Sequence, residues 1–368
     1  MGANQSAAPK RMTCSSVSDL LSSLKRNGTT SENIVLAKMK FDKPIANLPV
    51  LPGVLKVSFL DSVIKNDSIL QFNQWCPNVA ELAFIRVKFS ERAYENFTNG
   101  GNTLPTVKSL TFHFKYDMEG FGYFIQEMDE KLPSLENLAL ILVAADSDEY
   151  EPMWDDEQPY EPIYFKNLKK LSLIAFGDEG DRVFDYMDIS NEKLEELSFT
   201  AMGFTKDNLK WIKCCEQLNK LTLGCPSLEG NDLKLLKGMK SLKELHLEIG
   251  SIEWTPKKMI EIMRNNGQLK LLSIECERNN KQLTFDDEFK KLFDALVQKR
   301  GDATIKVTFG SGKSMRQMTI SEEGFDETTP LVEAESDDEE FYFETEDGSS
   351  SNDIDSDSSS EEEEENEH

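Results

Sequence analysis

The stretch CCEQLNKLTLGCPSLEGNDLKLLKGMKSLKELHLEIGSI, residues 214–252, decides the fold. It contains one short pattern twice: an apolar residue, two residues of any kind, an apolar residue, one residue of any kind and a third apolar residue. The two copies, LNKLTL and LKELHL, begin at Leu218 and Leu242. Self-similarity at such a period is typical of repeat architectures, and it outweighs any single motif.

The same pattern recurs through most of the chain. Nine copies begin at positions 54, 79, 107, 135, 168, 194, 218, 242 and 269, so successive copies lie 24 to 33 residues apart. IKVTF at Ile305 is a degenerate tenth copy. Seven of the nine have an apolar or Cys residue three positions earlier: Leu51, Cys76, Leu104, Leu132, Phe165, Cys215 and Met239.

The apolar residues between the copies follow a helical spacing, as Leu233, Leu236 and Met239 do in NDLKLLKGM. Each repeat is therefore predicted to be a short strand followed by a helix, too small to bury its apolar face alone. Stacking of nine to ten such repeats predicts an α/β solenoid with a parallel sheet on its concave side. We expect a disordered head over 1–15, an N-terminal cap over 16–45, the solenoid over 46–310 and a disordered acidic tail over 311–368.

The 214–252 stretch, with Cys215 and Cys225, resembles the leucine-rich repeats of the ribonuclease-inhibitor and F-box/leucine-rich-repeat (cysteine-containing) kind. The resemblance covers residues 46–310 and implies a scaffold that binds proteins. In F-box members it also implies a substrate receptor of a ubiquitin ligase. No F-box is recognisable upstream of Val54, where SVSDLLSSLKRNG predicts one short helix and ENIVLAKMKF a capping strand. Only the binding scaffold therefore carries over, and the receptor role stays an alternative.

Charge is distributed unevenly along the chain. The formal net charge is −26, and residues 322–368 contain 22 of the 67 acidic residues and no Lys or Arg. Residues 1–321 then hold 45 acidic residues against all 41 Lys and Arg. A block of like charge predicts a disordered interaction tail. Such a negative chain argues against direct nucleic-acid binding, because phosphate affinity requires clustered Lys and Arg.

Catalytic, metal and membrane-spanning motifs are not recognisable. The six cysteines form no CxxC pair and no zinc pattern, which favours free thiols in an intracellular compartment. His113 and His246 fall on the predicted concave face without a neighbouring nucleophile or paired carboxylate. GSGKS at 310–314 lacks the spacing of a phosphate-binding loop. We therefore expect no enzyme activity, no cofactor and no metal, and no run of about 20 apolar residues could span a bilayer.

The predicted partner-binding residues fall into three groups. On the concave face, an apolar stripe stands two residues after the small residue of each strand motif. The repeat that spans residues 135–168 carries an insertion, DSDEYEPMWDDEQPYEPIY, and the tail carries EEFYF; both set aromatic side chains among carboxylates, which suits basic protein partners. The residues concerned are Leu60, Ile85, His113, Ile141 and Ile174 on the face, Tyr150, Trp154 and Tyr160 in the insertion, and Phe341, Tyr342 and Phe343 in the tail.

Modification motifs occur at both ends. MGANQS fits the N-myristoylation signal at Gly2, and Cys14 with nearby basic residues offers a second membrane signal. Ser336, Ser358, Ser359 and Ser360 each have an acidic residue three positions on and are candidates for acidophilic kinases. A cytoplasmic, a nuclear and a peripheral-membrane location all stay open.

The sequence thus predicts a monomeric, non-catalytic protein-interaction module. It binds a basic protein partner through the concave face and the acidic–aromatic loop. Two alternatives are an F-box/leucine-rich-repeat-like receptor of a ubiquitin ligase and an acidic chaperone of histones or other basic proteins.

Overall fold

The computed structural model describes residues 11–27, 31–45, 48–98, 103–115, 128, 130–143, 165–176, 193–201, 206–227, 236–251, 256–276, 286–300, 302–309, 316–321 and 323–328. The chain divides into two compact units, Met1–Leu331 and Val332–His368. All of the described residues belong to the first unit.

Strands recur along the whole first unit. In chain order they are β1 (Arg11–Cys14), β2 (Asn33–Ala37), β3 (Lys40–Phe41), β4 (Lys56–Leu60), β5 (Val63–Ile64), β6 (Glu81–Ile85), β7 (Lys88–Phe89), β8 (Ser109–Lys115), β9 (Asn137–Val143), β10 (Lys170–Phe176), β11 (Glu196–Ala201), β12 (Lys220–Ser227), β13 (Glu244–Ser251), β14 (Leu271–Cys276), β15 (Thr304–Phe309), β16 (Arg316–Ser321) and β17 (Gly324–Thr328). Fourteen of them form one sheet in chain order, while β3, β5 and β7 form a separate three-stranded sheet.

Pairing in the large sheet is parallel from β1 to β15, and β16 and β17 add to it antiparallel. The strands pair in register with the repeat: Leu221 lies opposite Leu245, which in turn lies opposite Leu272. Equivalent positions of successive repeats therefore stack in straight rows. The predicted α/β leucine-rich-repeat solenoid with a parallel sheet is confirmed.

The core lies on one side of the sheet. The inward apolar residues of each motif are almost fully buried, and they share one apolar cluster with the helices, among them Ile212, Met263 and Phe293. Burial of these stripes is what the single repeat could not achieve, and stacking provides it. The helices within the described ranges are α1 (Val17–Asn27), α2 (Phe72–Trp75), α3 (Glu91–Thr98), α4 (Lys206–Cys214), α5 (Pro256–Asn265) and α6 (Asp287–Arg300), with a 3₁₀ helix at Asp67–Leu70.

The position three residues before each motif is also part of the core. Leu51, Cys76, Leu104, Leu132, Phe165, Cys215 and Met239 are all buried there. Polar side chains two residues further on hold successive repeats together at this edge. The amide of Asn78 donates to the Pro52 carbonyl, and that of Asn167 donates to the Pro133 carbonyl, at 2.9 and 3.0 Å.

The first repeats turn sharply after their strands. Lys38, Asp61 and Arg86 each follow a strand and have φ of 56°, 49° and 51°, a left-handed conformation that non-glycine residues rarely adopt. Arg86 donates to both carboxylate oxygens of Asp61, at 2.5 and 3.0 Å, and so ties two of these turns together. The turns feed the short strands of the small sheet.

Both ends of the sheet differ from the domain limits expected from the sequence. β1 lies within the stretch 1–15 that was expected to be a disordered head. Met12 and Cys14 are buried on one side of this strand, while Arg11 and Thr13 are exposed. β16 and β17 lie within the expected tail, 311–368. Only residues 310–315 separate β15 from β16, and a connection that short allows an antiparallel neighbour but not a parallel one.

Candidate functional site

The outer side of the large sheet, opposite the core, carries three rows of side chains that run across the strands; we call it the open face. Each of the ten strands β4, β6 and β8 to β15 contributes one residue to every row, spaced by two along the strand. The first row runs Lys56, Glu81, Ser109, Asn137, Lys170, Glu196, Lys220, Glu244, Leu271 and Thr304. The middle row runs Ser58, Ala83, Thr111, Ala139, Ser172, Ser198, Thr222, His246, Ser273 and Lys306. The third row runs Leu60, Ile85, His113, Ile141, Ile174, Thr200, Gly224, Glu248, Glu275 and Thr308.

A groove of about 230 Å³ crosses the middle of the open face. Small middle-row residues form its floor, and Lys170, Glu196 and Lys220 of the first row form one wall. None of the middle-row residues belongs to the apolar core cluster. The groove is therefore a surface on which a partner can approach the sheet closely without disturbing the core. Its floor is Ala139, Ser172, Ser198 and Thr222.

The first row is an alternating ladder of charges. Lys56 pairs with Glu81 at 3.0 Å, Lys170 with Glu196 at 2.6 Å and Lys220 with Glu244 at 3.9 Å. One residue earlier along the strands, Glu136 lies between Lys108 and Lys169, at 3.3 and 2.8 Å. The hydrogen bond from Lys169, with further help from Lys108, lowers the pKa of Glu136. These charges largely satisfy one another, and such exposed ion pairs contribute little to stability.

The third row changes character along the sheet. Leu60, Ile85, Ile141 and Ile174 are half-buried, so each retains apolar surface on the open face. His113 differs from its neighbours because it is only 7% exposed, although a lone histidine on a strand was expected at the surface. Farther on, the row passes through Thr200 and Gly224 to a pair of acidic residues.

That acidic pair consists of Glu248 on β13 and Glu275 on β14, which lie opposite each other. Both side chains are exposed. Loss of solvent around the carboxylate raises the pKa of Glu248, and the negative charge of Glu275 raises it further, while His246 partly offsets both effects. Neither these two glutamates nor the charged ladder was predicted from the sequence as part of a site. The signal was present, because both follow from reading the same repeat position in every strand.

The cysteines are packed as core residues rather than exposed as reactive groups. Cys14, Cys76, Cys215, Cys225 and Cys276 are buried free thiols, and Cys214 alone of the six is exposed. Burial raises the pKa of Cys215 to about 12 and also raises that of Cys14 and Cys76. Because the Cys14 side chain is 0% exposed in β1, this thiol is not accessible to serve as the second membrane signal predicted from the sequence.

Within the part of the chain that the structure describes, no group of three or more His, Cys, Asp or Glu side chains is placed to hold a metal ion. No helix among those residues is long and apolar enough to cross a bilayer. The remaining predicted site residues lie outside the described ranges, so their assignments stay predictions. These are Gly2, Tyr150, Trp154, Tyr160, Ser336, Phe341, Tyr342, Phe343, Ser358, Ser359 and Ser360.

No protein-family model matches the chain, and no curated protein does. Solved structures do match. One is the crystal structure of an internalin, inlF, from Listeria monocytogenes str. 4b F2365, at 12% sequence identity and a TM-score of 0.33, covering 68% of this chain and 63% of that one. Another is a TLR13–ssRNA13 complex, at 13% identity and a TM-score of 0.35, covering 75% of this chain and 44% of that one. The chain thus spans less than two thirds of either protein, and the fold assignment rests on strand order and register instead.

Proposed function

We propose that this chain is a non-catalytic protein-interaction module that binds a partner protein through the open face of its large sheet. The groove over Ala139, Ser172, Ser198 and Thr222 carries this proposal. It is an accessible groove on a parallel sheet, and its small side chains let a partner backbone come close. The half-buried Ile141 and Ile174 beside it supply apolar contact area.

The residues around the groove provide the two kinds of contact that protein interfaces use. Apolar and aromatic anchors provide most of the binding energy at interfaces, whereas rim charges act mainly on association rate and specificity. The ion-paired first row would form such a rim. The acidic–aromatic loop and the acidic tail are proposed to add attraction for a basic partner, on the basis of their composition.

The test is to block the groove. Ser198→Trp places a large side chain on the groove floor, and Ala295→Trp makes a comparable change at an exposed position of α6. We expect affinity purification followed by quantitative mass spectrometry to recover partners with wild-type protein and with Ala295→Trp, but not with Ser198→Trp. Circular dichroism establishes that both variants fold. Equal recovery by both variants would place the binding surface elsewhere.

The same purification separates the alternatives predicted from the sequence. Recovery of the small linker protein of a ubiquitin ligase would favour the receptor role despite the missing F-box. Recovery of histones that depends on the acidic tail would favour the chaperone role.

A further inference from the structure

The acidic end of the third row costs stability. Glu248 and Glu275 are directly opposite each other in a parallel pair of strands, and like charges at such positions are unfavourable. Elsewhere on the open face, neighbouring charges have opposite sign, as at Lys170 and Glu196. Positions where a sequence departs from its own consistent pattern are frequently functional.

In the part of the chain that the structure describes, neither Glu248 nor Glu275 forms an ion pair with a Lys or Arg. The basic side chains beside the pair are otherwise placed: His246 lies 3.4 Å from Glu244, and Lys306 stands opposite Ser273. Within the described ranges the pair therefore presents two negative charges that no Lys or Arg neutralises, and a cation from a partner could do so. A guanidinium can donate to two carboxylate oxygens at once.

The other end of the same row is apolar. Ile141 and Ile174 lie opposite each other on β9 and β10 and are half-buried. Between these isoleucines and the acidic pair, the Thr200 side chain packs over Gly224. A Cβ on Gly224 would lie 2.7 Å from Thr200 Oγ1, so no larger residue fits there without displacing Thr200. The third row thus offers an apolar contact, a low step at Thr200 and Gly224, and a negative charge in sequence.

The middle row adds hydroxyl groups along the same path. Ser172, Ser198 and Thr222 are successive residues of the groove floor, one on each strand. None of these hydroxyls has a hydrogen-bond partner among the residues that the structure describes. An extended peptide has unsatisfied backbone N–H and C=O groups that such hydroxyls can bond, whereas a helix has already satisfied its own. The groove therefore favours an extended occupant.

Strand spacing sets the register of that occupant. Neighbouring strands are about 4.8 Å apart, so Ile174 and Glu248, three strands apart, are separated by roughly 14 Å across the sheet, and Glu275 is roughly 19 Å from Ile174. An extended chain advances about 3.3 Å per residue, and its alternate side chains point to the same side. The two distances correspond to about four and six residues, both of which place the two side chains on one side of the peptide.

We propose that the open face binds an extended segment of a partner protein whose apolar side chain sits over Ile141 and Ile174 and whose Lys or Arg, four to six positions away, sits between Glu248 and Glu275. This inference rests on the proposed function and specifies the partner's chemistry. The partner is recognised by its positive charge at the acidic end of the row and by apolar contact at the isoleucines.

A random 12-residue peptide display library, selected on the full chain at about 0.15 M salt, tests the proposal, because long-range attraction by the acidic tail is screened there. We expect enriched peptides to carry an apolar residue and a Lys or Arg four to six positions apart. A labelled synthetic copy should bind the double variant Glu248→Gln, Glu275→Gln about tenfold more weakly, the size expected for loss of a charge-assisted hydrogen bond. Glu261→Gln, an identical change on the exposed surface of α5, should leave affinity unchanged.

Two results would overturn the inference while leaving the proposed function standing. One is peptides that Ser198→Trp blocks but that lack a basic residue at this spacing. The other is equal affinity for the wild type and the double Gln variant. Peptides that bind Ser198→Trp as tightly as wild type would instead overturn the proposed function, since the groove would then not be their site. Failure to enrich any peptide would overturn the inference of an extended segment. The double Gln variant removes a repulsion, so it should fold at least as well as wild type.

Discussion

Asn266 stands where other repeats place an apolar residue, and its removal should destabilise the solenoid. It occupies the position three residues before the motif at Leu269, equivalent to Cys215 and Met239, and it is 2% exposed. Its side-chain oxygen accepts from the backbone N–H groups of Gly238 and Met239, both at 3.1 Å. Its amide donates to the Ile262 carbonyl at 3.2 Å. One side chain thus completes the backbone hydrogen bonding of the preceding repeat.

The magnitude follows from the groups that Asn266→Ala leaves without a partner. A buried donor that loses its acceptor costs about 1–3 kcal/mol. The Met239 N–H is buried and bears that cost in full, whereas the Gly238 N–H is partly accessible to water and bears less of it. We therefore expect the free energy of unfolding to fall by about 3 kcal/mol.

Urea unfolding followed by tryptophan fluorescence measures this loss, with hydrogen exchange of the Gly238 and Met239 amides as a local readout. Asn265→Ala is the matched control, because Asn265 is half-buried and makes no side-chain hydrogen bond within the described ranges. It should change stability by less than about 0.5 kcal/mol. If Asn266→Ala lowers stability no more than the control, the amide contacts do not support the neighbouring repeat.

Two further predictions concern charged residues. Asp61→Asn should lower stability at pH 7 by less than about 1 kcal/mol, because the ion pair with Arg86 is partly exposed. The hydrogen bond from Arg86 lowers the pKa of Asp61. The stability that the ion pair contributes is therefore present above the ordinary Asp pKa and is lost as pH falls through the lowered pKa. The melting temperatures of the wild type and Asp61→Asn should converge at acidic pH, and a difference that stays constant with pH would contradict this role of the pair. Glu248→Gln should raise the melting temperature at pH 7. Because the pKa of Glu248 is raised, the wild type loses stability as pH rises from below the ordinary Glu pKa through the raised pKa. The difference in melting temperature between Glu248→Gln and the wild type should therefore appear over that pH range and vanish below it. Equal melting temperatures at pH 7 would show that Glu275 exerts no effect.

The fold was predictable because every copy of the repeat indicates the same strand register. Each copy of the motif places its apolar residues on one side of a strand, and a slip of one residue would expose all of them. Nine concordant copies leave no competing register, and the pairing of Leu221, Leu245 and Leu272 follows directly. The helices were harder to predict, because the length of a helix such as α6 is not fixed by the register of the sheet.

The ends of the sheet were not predictable from the repeat, because they do not obey it. RMTC offers only four residues, and its burial depends on Leu20 and Leu24 of α1, which a local pattern does not reveal. At the other end, composition is dominated by acidic residues from Glu322 onward, which obscures the alternation in β17. A sheet edge presents unpaired backbone groups that proteins cover in some way. Here β16 and β17 extend the sheet beyond β15.

The candidate site was predictable in outline but not in its energetics. Reading one repeat position along the chain identifies Ile141 and Ile174 as neighbours on the open face, and the structure places them opposite each other. The same reading could not show that His113 is buried, because its environment comes from other strands and turns. Nor could it show that the first-row charges satisfy one another, since an ion pair depends on rotamers as well as on register.

In a parallel sheet with strict register, every open-face residue has the equivalent residues of the two adjacent repeats as its neighbours. Stability alone then favours alternation of charge or the absence of charge along each row. The first row follows this rule, with Lys170, Glu196, Lys220 and Glu244 in unbroken alternation. The third row breaks it only where Glu248 meets Glu275, although a single Lys or Gln at either position would remove the repulsion. Because the unfavourable contact is so simple to remove, its presence agrees with our proposal that a Lys or Arg of a partner sits between the two carboxylates.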